Sequence, residues 1–202
     1  MLILGLLVSA TGSLFLVRSV QPARAAGRDN PVGSLEVGQQ STTTSTAAPA
    51  RQPVAQSGGP VDVPVDSYAS EPVIQIGTIE IPKIGLVSPI FHGITLRNID
   101  HGPSHWPGTA FPGETGNAVF AGHRVTHTHP FLHIDRLEAG DQVTFTVQGI
   151  RTVYVVTGHE VVSPKNLSIV AQTSTPTATL FACHPPHFAT FRYVVHLALL
   201  AS

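Results

Sequence analysis

The feature that most constrains the fold is a series of short, β-branched runs that begins at Val73 and continues to the end of the chain. The runs are IQIGTIEI, LVSPIF, AVFAG, VTFTV, TVYVVT, ATLFA and FRYVVHLAL, and turn residues separate them. Such spacing is typical of an all-β barrel or sandwich. The sequence predicts only short helices, at about Leu96 to Ile99 and Phe131 to Leu137. Residues 73–202 are therefore expected to form one β-dominated domain.

The residues that precede this domain have a different composition. Residues 1–17 carry no charged side chain, so we interpret residues 1–19 as a transmembrane anchor or a signal segment, with a buried helix as a third reading. Residues 20–72 are rich in Ser, Thr, Gln, Gly, Ala and Pro, which predicts a disordered linker. Together these segments predict a single-pass protein of the cell membrane whose C-terminal domain is extracellular.

The charge argues against nucleic-acid binding, and the cysteine content excludes an internal disulfide. The formal net charge is −1 at pH 7, which offers no basic face for nucleic acid. Cys183 is the single cysteine, so it makes no internal disulfide in an exported chain. It is either a small buried residue or a reactive thiol.

The position of Cys183 favours a reactive thiol. It follows the apolar run that ends at Ala182, and Arg192 opens the last run nine residues later. Two strands joined by a short connection are normally antiparallel neighbours, so both side chains should face the same rim of the sheet. A histidine is the usual partner that ionises a thiol, and His123, directly after AVFAG, is a candidate among eleven histidines.

The many histidines also leave a metal site open as an alternative. Zinc ligands could come from the HTH segment with the next histidine and from the cluster around the cysteine: His127, His129, His133, Cys183, His184 and His187. This spacing matches no zinc signature, and HExxH is absent. His101 and His105 are interpreted as loop histidines.

Three stretches, in order, resemble the sortases, and most closely the class E sortases of Gram-positive bacteria. They are IGTIEIPKIGLVSPIFHGIT, HGPSHWPGTAFPGETGNAVFAGHRVTHTHPFLHIDRLEAGDQV and TATLFACHPPHFATFRYVV. The resemblance covers about Ile74 to Leu200. It implies a closed eight-stranded β-barrel with short helices, and a catalytic set of His123, Cys183 and Arg192.

The resemblance also implies an activity. A cysteine transpeptidase of this kind cleaves an LPxTG or LAxTG sorting signal between Thr and Gly through an acyl-thioester, and transfers the protein to a cell-wall amine without a cofactor. The implied partners are surface proteins that carry sorting signals and a cell-wall peptide precursor. A catalytically silent barrel that only binds sorting peptides is a further alternative.

Two positions depart from the family pattern. Ala182 stands where a threonine usually precedes the cysteine, and Trp106 stands where a tyrosine commonly precedes PGT. Both are expected near the substrate groove, although Trp106 is equally well explained as a large core residue. The Asp-Pro-aromatic lid of the pilin-polymerising class C enzymes is missing ahead of Ile74, which makes pilus assembly a poorer fit.

Overall fold

The computed structural model describes residues 58–201. Eight strands form a closed barrel in the order β1-β2-β3-β4-β7-β8-β6-β5. The strands are β1 Ile74–Ile81, β2 Leu86–His92, β3 Ser104–His105, β4 Gly116–Ala121, β5 Gln142–Val147, β6 Ile150–Val162, β7 Pro176–His184 and β8 Phe191–Leu199. One α-helix, α1, spans Leu96–Ile99, and short 3-10 helices span Pro82–Ile84, Ile134–Arg136 and Leu167–Val170. The predicted eight-stranded barrel with short helices is confirmed.

The predicted anchor at residues 1–19, and the linker as far as residue 57, lie outside the described residues. Among the residues that the structure does describe, none of the helices has the length and apolar character needed to cross a bilayer.

The barrel is antiparallel except at two pairs, β2 with β3 and β4 with β7. The β4 and β7 pairing is a parallel ladder that aligns Gly116 with Pro176 and Ala121 with Phe181. β8 then pairs with β7 in antiparallel register, from Thr177 opposite Ala198 to His184 opposite Phe191. β7 therefore lies between β4 and β8, and its C-terminal end is flanked by the C-terminal end of β4 and the N-terminal end of β8.

Side chains alternate between two apolar cores, as expected for strands of period two. The first core, called the interior core here, fills the barrel, and Phe120 stacks on Phe145 within it at 4.9 Å between ring centroids. The second, called the outer cluster, packs on the outside against β4, β7 and β8. Its members are Ile94, Trp106, Val119, Val162, Ile169, Val170 and Val194, with Phe181 partly buried against them.

A buried amide holds one wall of the outer cluster to the barrel. The Asn117 side chain donates from Nδ2 to the carbonyl oxygens of Ile169 at 3.0 Å and Ala171 at 3.2 Å. Its Oδ1 accepts a hydrogen bond from the Thr179 hydroxyl at 2.9 Å. Because a buried amide must be hydrogen-bonded to be tolerated, this network fixes the 167–171 segment above β4 and β7.

Candidate active site

Cys183 and Arg192 face each other across the β7 and β8 pair, since the two are direct register partners. Directly opposed residues of an antiparallel pair project from the same face of the sheet. On β7, Cys183 shares that face with Phe181, and on β8, Arg192 shares it with Val194, so both side chains lie on the outer-cluster side. The two residues thus lie at the same rim of the sheet, where the short connection between their strands predicts them.

His123 follows β4, which pairs with β7 on the side opposite to β8. The parallel ladder aligns Ala121 with Phe181, and it continues with a hydrogen bond of 3.1 Å from the Gly122 amide to the Phe181 carbonyl oxygen. Two residues further on, the same register brings His123 level with Cys183. The sequence separates these residues by 60 positions, and it is the parallel pairing that unites them.

A cavity of about 350 Å³ opens over these three residues. His123, Cys183 and Arg192 all line it, and most of its remaining wall is apolar, with Ile94, Leu96, Trp106, Ile169 and Phe181 among the lining residues. An apolar cleft with a few convergent polar groups is the usual form of a small-ligand or peptide site. The arrangement can bind an apolar peptide side chain and present a nucleophile to its backbone.

Arg192 is held at the rim by the chain itself. Its Nη1 donates hydrogen bonds to the carbonyl oxygens of Ala189 at 3.1 Å and Phe191 at 3.0 Å. These bonds orient the planar guanidinium, whose remaining donors can stabilise the negative charge that develops on a carbonyl oxygen when Cys183 attacks the carbonyl carbon. Cys183 is a free thiol of intermediate burial, which leaves it accessible from the cavity.

Asp100 is the residue of this site that the sequence analysis missed. Its Oδ1 lies 2.7 Å from His123 Nε2, and its Oδ2 accepts a hydrogen bond from the Tyr68 hydroxyl at 3.3 Å. A carboxylate on one ring nitrogen fixes the orientation of the imidazole. Asp100 caps the C-terminal end of α1, 23 residues before His123, and no local spacing marks it.

His127 contacts both His123 and Asp100. Its ring stacks on that of His123 at 4.8 Å between centroids, and its Nδ1 is 3.4 Å from Asp100 Oδ1. Of the histidines in the predicted metal alternative, it is His127 that joins a compact group. Within residues 58–201, the group close enough to share an ion is Asp100, His123 and His127.

Arg124 anchors the loop that carries His123. Its side chain is buried and donates from Nη2 to Asp135 Oδ2 at 2.7 Å and from Nη1 to His184 Nδ1 at 2.7 Å. Its guanidinium also lies 5.6 Å from the centroid of the Tyr193 ring. The residue after His123 is thus tied to the ends of β7 and β8, which fixes the approach of His123 to Cys183.

Position 122 requires glycine because the Phe131 ring packs too closely for a Cβ. A Cβ at this position would lie 2.5 Å from the ring of Phe131, which is fully buried in the interior core. Because the ring cannot retreat into a packed core, any side chain here would displace the turn before His123.

The two groove residues named from the sequence have different surroundings. Trp106 is both a member of the outer cluster and a lining residue of the cavity, and its Nε1 donates to the Val61 carbonyl oxygen at 2.8 Å. Ala182 also lines the cavity, but its side chain belongs to the interior core with Ala178 and Leu180. The alternation along β7 indicates that the cavity meets mainly the backbone of Ala182.

The remaining two histidines of the sequence analysis also differ from each other. His101 lies in the turn after α1, as predicted, with Nδ1 2.7 Å from the Arg97 carbonyl oxygen. The interpretation of His105 as a loop histidine is wrong, because His105 is fully buried in β3. Its Nε2 lies 2.8 Å from the Ala110 carbonyl oxygen and its ring stacks on Phe111 at 4.5 Å. Burial lowers the pKa of His105 to about 4.

Part of the predicted linker forms one wall of the cavity. Val63, Pro64 and Ser67 are lining residues, and the Ser67 carbonyl oxygen accepts a hydrogen bond of 2.7 Å from the Leu96 amide. The Glu71 carboxylate is the second attachment point, because Oε2 accepts from the Thr95 hydroxyl at 2.7 Å and from Asn98 Nδ2 at 2.8 Å. Residues 58–72 therefore run along the domain instead of simply leading to it.

Comparison with known proteins gives a consistent result. The model of the sortase domain family matches residues 79–200. The chain is 32% identical over 141 residues to sortase SrtE1 of Streptomyces coelicolor and 29% identical over 124 residues to sortase D of Bacillus subtilis. These alignments include 62% and 59% of this chain, and they span 40% and 61% of the length of the two relatives.

A solved structure agrees with the sequence relatives. The crystal structure of sortase E1 from Streptomyces coelicolor with a tripeptide in the active site superimposes with a TM-score of 0.59 at 27% identity. The match covers 63% of this chain and 89% of that one.

Proposed function

This chain belongs to the sortase family of cysteine transpeptidases, and on that premise we propose that it cleaves an LPxTG or LAxTG sorting signal between Thr and Gly and transfers the new carboxyl end to a cell-wall amine. The observation that carries the proposal is the convergence of His123, Cys183 and Arg192 on one face of three adjacent strands, beside an apolar cavity. Sorting-signal-bearing surface proteins and a cell-wall peptide precursor are the proposed partners.

In the first half of the reaction the Cys183 thiolate attacks the Thr carbonyl carbon. The carbonyl oxygen gains the negative charge, and the donors of Arg192 stabilise it. The C–N bond to Gly then breaks while the protonated imidazole of His123 gives its proton to the departing amine. The product is a thioester between the Thr carbonyl and Cys183, and a free amino-terminal glycine.

In the second half an acceptor amine attacks the thioester carbonyl and surrenders a proton to His123. The C–S bond breaks, the thiolate of Cys183 is restored and an amide joins the surface protein to the acceptor. Asp100 assists both halves by holding His123 through Nε2, with Nδ1 left to face the reacting atoms. Each proton and each bond is accounted for without a cofactor.

The apolar lining of the cavity suits the apolar part of a sorting signal. Trp106, Ile169 and Phe181 offer apolar surface that can bury a Leu side chain and its Pro or Ala neighbour. The solved relative with a tripeptide in its active site is a precedent for peptide binding in a barrel of this fold. We propose that the Leu end of the signal occupies this apolar surface while the Thr carbonyl lies at Cys183.

The experiment that tests the proposal incubates the purified full chain with an LPxTG peptide and with an LAxTG peptide, with and without hydroxylamine as a small amine acceptor. Mass spectrometry should show an acyl adduct on Cys183 and, with hydroxylamine, a Thr hydroxamate product. A Cys183→Ala variant is the matched control and should give neither. Peptide binding without any adduct would instead support a catalytically silent peptide binder.

The apolar residues 1–17 support a further part of the proposal, in which the chain is tethered to the cell membrane with its barrel outside. Cell fractionation, followed by protease treatment of intact protoplasts, tests it. Recovery of the protein in the membrane fraction with a barrel that external protease can reach is expected, and a protease-protected barrel would contradict it.

A further inference from the structure

Two imidazoles and a carboxylate meet at the edge of the cavity. We propose that Asp100, His123 and His127 form a binding site for a zinc ion, and that zinc inhibits the enzyme reversibly by engaging His123. The ligand atoms that these residues offer lie within 4.8 Å of one another. Two nitrogens and one carboxylate oxygen, with a fourth position left for water, is a set that Zn²⁺ accepts readily.

The distances allow a tetrahedral zinc ion after small movements of the side chains. Bonds of about 2.0–2.1 Å place neighbouring ligand atoms about 3.3 Å apart. His127 Nδ1 already lies 3.4 Å from Asp100 Oδ1, whereas His123 Nε2 lies 2.7 Å from the same oxygen, at hydrogen-bond distance. Of the three ligand pairs, one has the required separation and a second must open by a few tenths of an ångström. The third pair, the two imidazole nitrogens, lies within 4.8 Å and must close through a rotation of the exposed His127 ring.

The surroundings of the cluster favour binding from the solvent side. The side chains of His123 and Asp100 retain 14% and 18% of their exposure, while that of His127 retains 46%. The Tyr68 hydroxyl donates to Asp100 Oδ2, which is the kind of outer contact that orients a ligating carboxylate. Asp100 and His123 are thus held in place, and His127 is the accessible ligand.

The backbone of the loop brings His127 to this position. His127 has a φ of 52°, a left-handed conformation that few residues other than glycine, Asn, Asp and His adopt. The turn that follows from it stacks the His127 ring on that of His123. His129 also has a positive φ, 35°, and is exposed, but it does not belong to the cluster. It is therefore a matched control.

Inhibition follows from the proposed function, on which this second half of the inference rests. A zinc ion bound to Nε2 displaces the hydrogen bond to Asp100 and prevents His123 from forming the imidazolium. Nδ1 could then protonate the leaving amine only by leaving an imidazolate anion, so the transfer is blocked. Removal of the ion by a chelator restores the histidine. The same enzyme would then be active in chelator and inactive in zinc.

Zinc binding itself is measured in the Cys183→Ala background, so that no thiol contributes. Titration of the full chain with zinc chloride against a chromophoric chelator should give one saturable site. His127→Asn should weaken that site about tenfold or more, because a neutral amide oxygen is a poor zinc ligand, and His129→Asn should leave it unchanged. Equal affinity in all three proteins, or no saturable site, would overturn the proposal.

Activity is measured separately, with Cys183 present. His127→Asn and His129→Asn should turn over an LAxTG or LPxTG peptide at similar rates in chelator, and the zinc concentration for half inhibition should rise about tenfold only in His127→Asn. Inhibition that is equally strong in both would place zinc on the Cys183 thiolate and reject the inhibitory role. A protein that binds zinc as expected but cleaves neither peptide would reject the proposed function and retain the site.

Discussion

At the scale of single residues, Asp100 sets the orientation of the His123 imidazole. The carboxylate contacts one ring nitrogen at 2.7 Å and is itself held by Tyr68. His123 can rotate about its side-chain bonds, and this contact selects one orientation among several.

The first prediction therefore concerns Asp100→Asn. We expect kcat for peptide cleavage to fall by about one to two orders of magnitude with little change in KM, because proton transfer is affected and the apolar cavity is not. Steady-state kinetics on a fluorogenic sorting peptide measure both constants. Asp62→Asn, a change at an exposed position of residues 58–72, is the control and should match the wild type. A loss confined to KM would remove Asp100 from its positioning role.

His105 gives the second prediction, which concerns pH. Burial holds its pKa at about 4 in the folded chain, below the ordinary 6.5. Between these values the unfolded chain binds a proton that the folded chain does not, so stability is complete above about pH 6.5 and is lost as the pH falls toward 4. The loss attributable to this group is about 3 kcal/mol, and the lowered pKa of His92, also caused by burial, acts in the same direction.

The test of this prediction is denaturant unfolding at pH 7 and at pH 4.5 of wild type and His105→Gln. The variant keeps a donor for the Ala110 carbonyl oxygen but does not titrate, so it should be less stable at pH 7 and should lose less stability on acidification. A pH dependence identical to that of the wild type would show that His105 is not the group responsible.

At the scale of elements, the buried guanidinium of Arg124 positions the end of β4 and the loop that follows it. Arg124 bonds to Asp135 beyond the loop and to His184 at the end of β7. Its Nε is buried with no hydrogen-bond partner among the described residues, so the guanidinium already bears a desolvation cost that its other contacts offset. The loop that presents His123 therefore depends on a side chain that never enters the cavity.

Arg124→Met is the third prediction. It should lower the free energy of unfolding by about 1–3 kcal/mol, less than for a fully buried pair because Asp135 is 44% exposed and can be rehydrated. Turnover should also fall, since the residue before it is His123. Chemical denaturation and peptide kinetics measure the two effects, with exposed Arg136→Met as the control. Unchanged stability would mean that the buried contacts contribute nothing net.

The sequence predicts the long strands well and misses the shortest one. The runs IQIGTIEI and FRYVVHLAL coincide with β1 and β8, because both are long and β-branched. β3 has only two residues, too few to show any period, and it was missed together with the burial of His105. The Cys183 and Arg192 pair followed from a short connection, whereas Asp100 depends on how α1 packs, which no local pattern encodes.

At the scale of the whole molecule, residues 58–72 extend the domain beyond the boundary that the change in composition predicts. Glu71 is the main attachment point, because its carboxylate accepts hydrogen bonds from Thr95 and from fully buried Asn98. Burial raises the pKa of this carboxyl, but the hydrogen bonds from Thr95 and Asn98 together outweigh it, and the pKa lies below its ordinary value. The charged Glu71 carboxylate therefore attaches residues 58–72 to the barrel by accepting hydrogen bonds from the Thr95 hydroxyl and the Asn98 amide.

The fourth prediction compares a chain of residues 58–202 with one of residues 73–202. The shorter chain loses Glu71 and leaves the Asn98 amide without that acceptor, which should lower the free energy of unfolding by about 1–3 kcal/mol. It also loses Val63, Pro64 and Ser67, so one wall of the cavity is removed. Denaturant unfolding measures the first effect, and the KM for a sorting peptide measures the second.

Glu71→Gln in the longer chain separates the two effects. The amide keeps an acceptor oxygen but loses the charge, so this variant should be less stable while most of the wall remains in place. If the shorter chain and Glu71→Gln lose stability but only the shorter chain changes KM, the wall contributes to peptide binding independently of stability. If both change KM in parallel with stability, the segment acts on the cavity only through the fold. Equal stability of the two chain lengths would show that the predicted boundary at residue 73 is the energetically relevant one.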